Sequence, residues 1–277
     1  MRAAPGRAPE RGLAPRRPSR WSWSRRRRRS TASVASGAIL ARCLTLLRSK
    51  ARAGVTTAEL DAAAERFIRS QGAEPAFKGY RGFPGSICAS PNSMVVHGIP
   101  GSYRLRRGDV LSIDVGVIHD GWVADAAVTI PIGRVSPVAE RLLAATRAAL
   151  FDALEHARPG GHLGDVSSAV QARVEADGFA VIRSLVGHGV GRDMHEDPQI
   201  PNYGRPGTGP ELVEGMVLAV EPMVNAGDHP VRMGSDGWAV YSHDGSLAAH
   251  FEHTVAVTGE GPRILTPWHL AEERRAA

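Results

Sequence analysis

The chain runs through two kinds of hydrophobic pattern, and it does so twice. Residues 34–50 (VASGAILARCLTLLRSK) and 56–72 (TTAELDAAAERFIRSQG) space their apolar side chains as helices do. In the second, Leu60, Ala63, Ala64, Phe67 and Ile68 form an i, i+3, i+4, i+7, i+8 stripe. Thr56/Thr57 supplies an N-cap, and Gly54 and Gly72 close the two helices. Short strands are expected around 86–89 and 94–97. A hairpin follows: VLSIDVGVI (110–118), a turn at His119-Asp120-Gly121, and WVADAAVTIPI (122–132). Helical spacing returns at about 137–156 and 164–177, then strands near 181–187, 216–221, 237–242 and 247–257.

The residues repeat with the pattern. TTAELDAAAERFIRSQG aligns with HLGDVSSAVQARVEADG (162–178), and GDVLSID (108–114) with GMVLAVE (215–221). VADAAVT (123–129) resembles FEHTVAVT (251–258) more loosely. Asp114 thereby matches Glu221, and Asp125 falls in a place comparable to Glu252. Three matches in order favour a duplicated half-domain. Two such halves facing each other create one central site from symmetry-related strands.

Composition narrows the class. The 277 residues are 43% hydrophobic, enough for one large domain or two small ones with a sizeable core. No run approaches the roughly 18 apolar residues of a membrane span. Two cysteines, Cys43 and Cys88, build neither a disulfide framework nor a CxxC zinc site, so a reducing cytoplasm is the expectation.

The net charge of +6 is unevenly spread: residues 1–30 hold eleven arginines against the single acid Glu10. The remainder, 31–277, is mildly acidic and is read as one catalytic domain. The Pro/Arg/Ser-rich stretch 1–30 shows no helical or strand period and is expected to be a disordered tail. It suits a basic arm for the ribosome or other RNA, with Trp21 and Trp23 available for stacking. Pro15-Arg-Arg-Pro18 also suits a proline-binding module, and an upstream start codon accounts for the stretch equally well. Arg42 interrupts the apolar run after the arginines, which speaks against an export signal.

The chemistry lies in the carboxylates. Ile113, Val220 and Phe251 directly precede Asp114, Glu221 and Glu252, so three acids sit at buried apolar positions. Asp125 faces Asp114 across the hairpin. A single buried acid is most often a hydrogen-bonded structural residue. Four converging acids cannot all ionise together without cations, because like charges raise each other's pKa. GHGVGRDMHEDP (187–198) adds two imidazoles, His188 and His195, with glycines at 187, 189 and 191 letting backbone pack closely around His188. Carboxylates plus imidazole, without thiolate, suit Mn, Fe(II), Co or Zn. Two ions about 3.5–4 Å apart generate hydroxide from water at neutral pH.

VHGIP (96–100), SIDVGVIHDGWVADAA (112–127), GHGVGRDMHEDP, VEPMVNAG (220–227) and FEHT (251–254) resemble the type I methionine aminopeptidases over about residues 33–266. The resemblance implies the pita-bread fold, an α/β (α+β) pseudo-twofold domain with a central antiparallel sheet and outer helices. It implies two divalent ions and removal of the initiator methionine from nascent polypeptide N-termini, with a small second residue preferred. Asp114, Asp125, His188, Glu221 and Glu252 match its metal ligands, Asp125 and Glu252 bridging. Glu221 matches the proton shuttle, and His97 and His195 the residues that contact the substrate. Tyr80, Phe83, Cys88 and Trp238 match the methionine pocket. A cytoplasmic monomer is the corresponding expectation. Only 33 residues separate His188 from Glu221, which leaves no room for the helical insertion of the type II enzymes. Pro91 and Ser93 depart from the usual loop beside the pocket. An Xaa-Pro aminopeptidase or prolidase of the same fold, and a non-catalytic RNA- or partner-binding protein of that fold, are the alternatives.

Overall fold

The structure, a computed structural model, describes residues 23–270, with side chains from Ser33 onward; residues 1–22 of the expected tail lie outside the described residues. Four helices carry the outer layer: α1 (Trp23–Lys50), α2 (Thr57–Ser70), α3 (Pro137–Leu154) and α4 (Leu163–Ala176). α2 starts at a capping box, in which the Thr56 side chain accepts from Glu59 N–H and Glu59 reaches back to Thr56 N–H. Ser136 caps α3 ahead of Pro137 at its first turn. α1 begins eleven residues before Val34, where the apolar period starts, so the backbone of 23–30 is helical. Arginine is a good helix former, and a run of it carries no apolar period to announce a helix.

The apolar stripes do what their spacing requires. Leu40, Leu44 and Leu47 of α1 and Leu60, Ala64 and Ile68 of α2 are fully buried, as are Leu142, Ala149 and Ala153 of α3 and Val166 and Val174 of α4. α1 and α2 pack on each other and α1 covers the long hairpin; α3 and α4 form the equivalent pair for the second half.

All strand pairs are antiparallel. The first half centres on Val110–His119 and Trp122–Pro131, joined by Asp120 (φ 52°) and Gly121 (φ 70°), the two left-handed residues of a type I′ turn. Period 2 divides this hairpin. Leu111, Ile113, Val115 and Val117, with Ala124, Ala126 and Val128, join the core under the helices. Ser112, Asp114, Asp125 and Thr129 take the opposite face. The second half centres on a five-stranded sheet, in order Gly261–Ile264, His253–Thr258, Val217–Val220, Val186–Gly189 and Glu196–Pro201. Two three-stranded sheets complete the fold.

The expected strands at 181–187 and 247–257 each divide in two: Ala180–Val181 and Val186–Gly189, then Ala248–His250 and His253–Thr258. In each case the chain leaves one sheet and enters another. That switch places Phe251 and Glu252 between sheets, at the seam of the halves.

The seam is held by threonine side chains bonded to backbone and by one backbone pair. Thr254 Oγ1 accepts from Asp125 N–H (2.9 Å) and donates to Asp125 C=O (2.7 Å). Thr129 Oγ1 does the same for His250, accepting from its N–H (2.8 Å) and bonding its C=O (2.8 Å). Glu252 N–H donates to Ala127 C=O (2.9 Å). Each threonine fixes the backbone of a cavity residue on the other half. Thr254→Val keeps the shape but strips both partners from the buried Asp125 peptide, so stability falls by about 2–4 kcal/mol. Urea unfolding of the variant reads this; a midpoint equal to that of the parent would contradict the role given to the seam.

Candidate metal centre

Both halves aim carboxylates into one cavity of about 190 Å³. Its lining includes every residue singled out from the sequence: Asp114, Asp125, His188, Glu221 and Glu252 on the polar side, and His97, His195, Tyr80, Phe83, Cys88 and Trp238 around it. The register explains the convergence. Asp125 stands opposite Gly116, two residues from Asp114, so the two acids are diagonal neighbours on one face of the hairpin. Val220 stands opposite His253, and continuing that register sets Glu221 against Glu252.

His188 is brought in by close backbone packing. It pairs with Ala219, and a Cβ at Gly187 would collide with Ala219 C=O, while one at Gly189 would collide with Asp197 C=O. Its Nδ1 lies 2.9 Å from Gly189 C=O, which orients Nε2 toward the acids: 3.8 Å from Asp125 Oδ2 and 3.6 Å from Glu221 Oε1.

Two groups of donor atoms result, Asp125–His188–Glu252 and Glu221–His250–Glu252, each within 4.8 Å. Glu252 belongs to both, whereas Asp125 falls in one. Asp114 joins neither triplet but shares a hydrogen bond with Asp125. Among the described residues, His250 is a potential metal donor in the cavity that the sequence motifs do not mark. The available signal was its spacing: residues i and i+2 of an extended segment share a side, so His250 lies with Glu252, and His253 turns away to stack on Trp268 (4.5 Å).

The electrostatics are those of a cation site. Burial pushes Glu221 up to about 7 against the opposing pull of His188, and burial with neighbouring acids pushes Asp114 up to about 7 and Asp125 and Glu252 well above the usual carboxylate range. Burial holds His188 and His250 below the usual imidazole range. Asp114 Oδ1, Asp125 Oδ1, Glu252 Oε1 and both ring nitrogens of His250 are buried without a hydrogen-bond partner. Orphaned acceptors facing one another are costly, and divalent ions satisfy all of them at once. The residues therefore fit the group that the motifs imply.

The remaining walls are apolar or neutral. Phe83 meets Trp238 edge-on at 5.1 Å and Phe77 at 6.5 Å. Burial, then the charges of Asp114, Asp125 and Glu252, raises Cys88 well above the ordinary thiol range, so it stays a neutral wall and not a thiolate ligand. His97 sits at φ 59°, a conformation uncommon for a side-chain-bearing residue, ahead of Gly98, where a Cβ would strike Ala89 C=O. His97 lines the cavity and is exposed to it, yet the surrounding protein, then His250, lowers its pKa to about 4. Burial, then Arg81 and His97, lowers His195 as well. Tyr80 Oη lies 2.9 Å from His195 Nδ1.

These shifts fix a pH dependence. Histidines held low add stability as pH rises through about 6.5, the midpoint of their unfolded forms, and this gain fades above it. Carboxylates held high act oppositely: their contribution is full below about 4 and lost as pH rises through about 7 and beyond. Above about pH 6.5 the four raised carboxylates outweigh the fading histidine gain, so the chelated protein loses stability between about pH 6.5 and 8. Metal displaces those protons and removes the slope. Melting curves with and without chelator check this. A chelated protein whose Tm holds level or climbs across that window would contradict it.

The chain is similar to known proteins over most of its length. The model of metallopeptidase family M24 matches residues 32–259. The methionine aminopeptidase of Clostridium perfringens is 52% identical over 231 residues, covering 83% of this chain and 93% of that protein. Methionine aminopeptidase 1 of Bacillus subtilis is 51% identical, with the same coverage. The crystal structure of methionine aminopeptidase from Rickettsia prowazekii superposes with a TM-score of 0.85 at 42% identity, covering 87% of this chain and 97% of that one.

Proposed function

The chain belongs to metallopeptidase family M24 and, within it, to the methionine aminopeptidases, and from that premise we propose that its cavity removes the initiator methionine from nascent chains. The observation that carries this reading is the composition of the cavity: acids and imidazoles with unsatisfied donor atoms on one side, Phe83, Cys88 and Trp238 on the other. A free amine and a scissile carbonyl suit the first, and a thioether side chain suits the second.

Asp114, Asp125, His188, Glu221 and Glu252 would hold two divalent ions. When bound, such ions polarise the scissile carbonyl and lower the pKa of water to near neutrality. The chain's own residues do the rest. The carboxylates attract the substrate's ammonium group, which restricts the site to chain termini. The Phe83–Trp238 wall takes the methionine side chain and excludes water from it. Glu221, whose carboxyl burial raises to about 7, is poised to accept a proton from the attacking water and pass it to the departing amine. When Tyr80 donates to His195 Nδ1, the hydrogen of the neutral ring sits on Nε2, ready for the oxygen that becomes negative in the transition state. His97, neutral at pH 7, is a second such group beside the scissile bond.

Substrate class separates this reading from its nearest rival. Supplied with Mn, Co, Fe(II) or Zn, the protein releases methionine from Met-Ala-Ser and leaves Ala-Pro and Ala-Pro-Ser intact. Cleavage confined to the Xaa-Pro peptides would replace it with a prolidase-type activity.

A further inference from the structure

His250 lies outside the five residues that the resemblance assigns to metal, yet its surroundings are those of a ligand. Its ring is buried, 1% exposed, and neither ring nitrogen has a hydrogen-bond partner. Nε2 is 3.5 Å from Glu221 Oε2 and 3.9 Å from Glu252 Oε2. These separations are longer than hydrogen bonds. They are close to the edges of a coordination polyhedron: donors about 2.1 Å from one ion stand roughly 3.0–3.5 Å apart. On the opposite side of the cluster, His188 has nearly the same relation to its neighbours, 3.6 Å and 3.8 Å from Glu221 and Asp125.

The backbone leaves this imidazole little freedom. Ala248–His250 pairs with Met223–Asn225, with His250 opposite Met223, and Thr129 Oγ1 bonds both the N–H and the C=O of residue 250. The side chain is held facing Glu221, two residues before Met223, and Glu252, two residues after itself. A buried imidazole fixed between two carboxylates, with no other partner, lacks one component: a cation.

We propose that His250 is a sixth metal ligand, which with Glu221 and Glu252 gives the second ion an imidazole of its own. The proposal rests on the reading of the cavity as a two-ion centre. Each of the two donor groups then offers one imidazole and carboxylates, with Glu252 common to both. Imidazole favours Zn, Co and Fe(II) over Mn, so the second position discriminates against Mn more than a carboxylate-only position would.

X-ray absorption of the protein loaded with two equivalents of zinc counts imidazoles directly. It should find about one per ion, from His188 and His250, and about half that number in His250→Gln. Calorimetric titration with Zn(II) alone should show the second equivalent weakened about 10- to 100-fold in His250→Gln, with the first unchanged. The loss should be smaller for Mn(II). One imidazole per two ions in the parent protein would overturn the proposal, even if the variant failed to fold. Unchanged second-site affinity in a folded His250→Gln would overturn it too. Failure of the parent to bind any zinc would remove the two-ion reading itself, and the proposal with it.

Discussion

Glu252→Gln lowers kcat/KM for Met-Ala-Ser at least about 10³-fold, the kinetic equivalent of about 4 kcal/mol. The magnitude follows from position. Glu252 is the one acid common to both donor groups, it is 1% exposed, and its backbone is fixed by bonds from Glu252 N–H to Ala127 and from Trp268 Nε1 to Glu252 C=O (2.9 Å). A stability measurement separates this effect from unfolding. Burial and three neighbouring acids raise the Glu252 pKa, so ionising it is unfavourable in the metal-free protein. Chelated Glu252→Gln should therefore melt no lower than the chelated parent at pH 8, while metal no longer raises its Tm as far. A variant that keeps parental activity, or one that loses activity only by unfolding, would remove Glu252 from the centre.

His195→Ala lowers kcat by about 10²–10³-fold and leaves metal content and Tm unchanged. His195 lies outside both donor groups and is exposed to the cavity, so neither binding of ions nor the core depends on it. What it supplies is a neutral donor, oriented by Tyr80 and by packing against His188 (ring centroids 4.3 Å apart). Tyr80→Phe removes the tautomer bias but not the imidazole and should cost less than His195→Ala. Steady-state kinetics with metal analysis of each variant tests the ranking. Loss of metal from His195→Ala would show that the ring belongs to the ion cluster instead.

The helices and the hairpin were legible because each carries a pattern that local geometry imposes: an apolar stripe with caps in α2, alternation and an Asp-Gly turn in the hairpin. Val231–Met233 and Glu196–Pro201 were not, because the first is only three residues long and the second carries two acids and two prolines, so both are strands only through the neighbours they pair with. Asp114, Glu221 and Glu252 were legible from a chemical anomaly, a charge directly after a bulky apolar residue, while Asp125 came from the hairpin pairing, His188 from its flanking glycines, and the full ligand set from the family resemblance. His250 was not, since a histidine after Ala248-Ala249 reads as a satisfied core residue until Glu221 is seen beside it. The threonine seam was out of reach for a further reason: Thr254 and Asp125 are 129 residues apart, and Thr129 and His250 are 121 apart. Nothing in either local sequence marks the contact.

The most direct test is the release of free methionine from Met-Ala-Ser by exhaustively chelated protein as a divalent ion is returned in measured equivalents. The expected course is no release without metal, then activity that rises and saturates by about two equivalents. Release undiminished by chelation, or none at any metal level from a folded protein, would contradict the account.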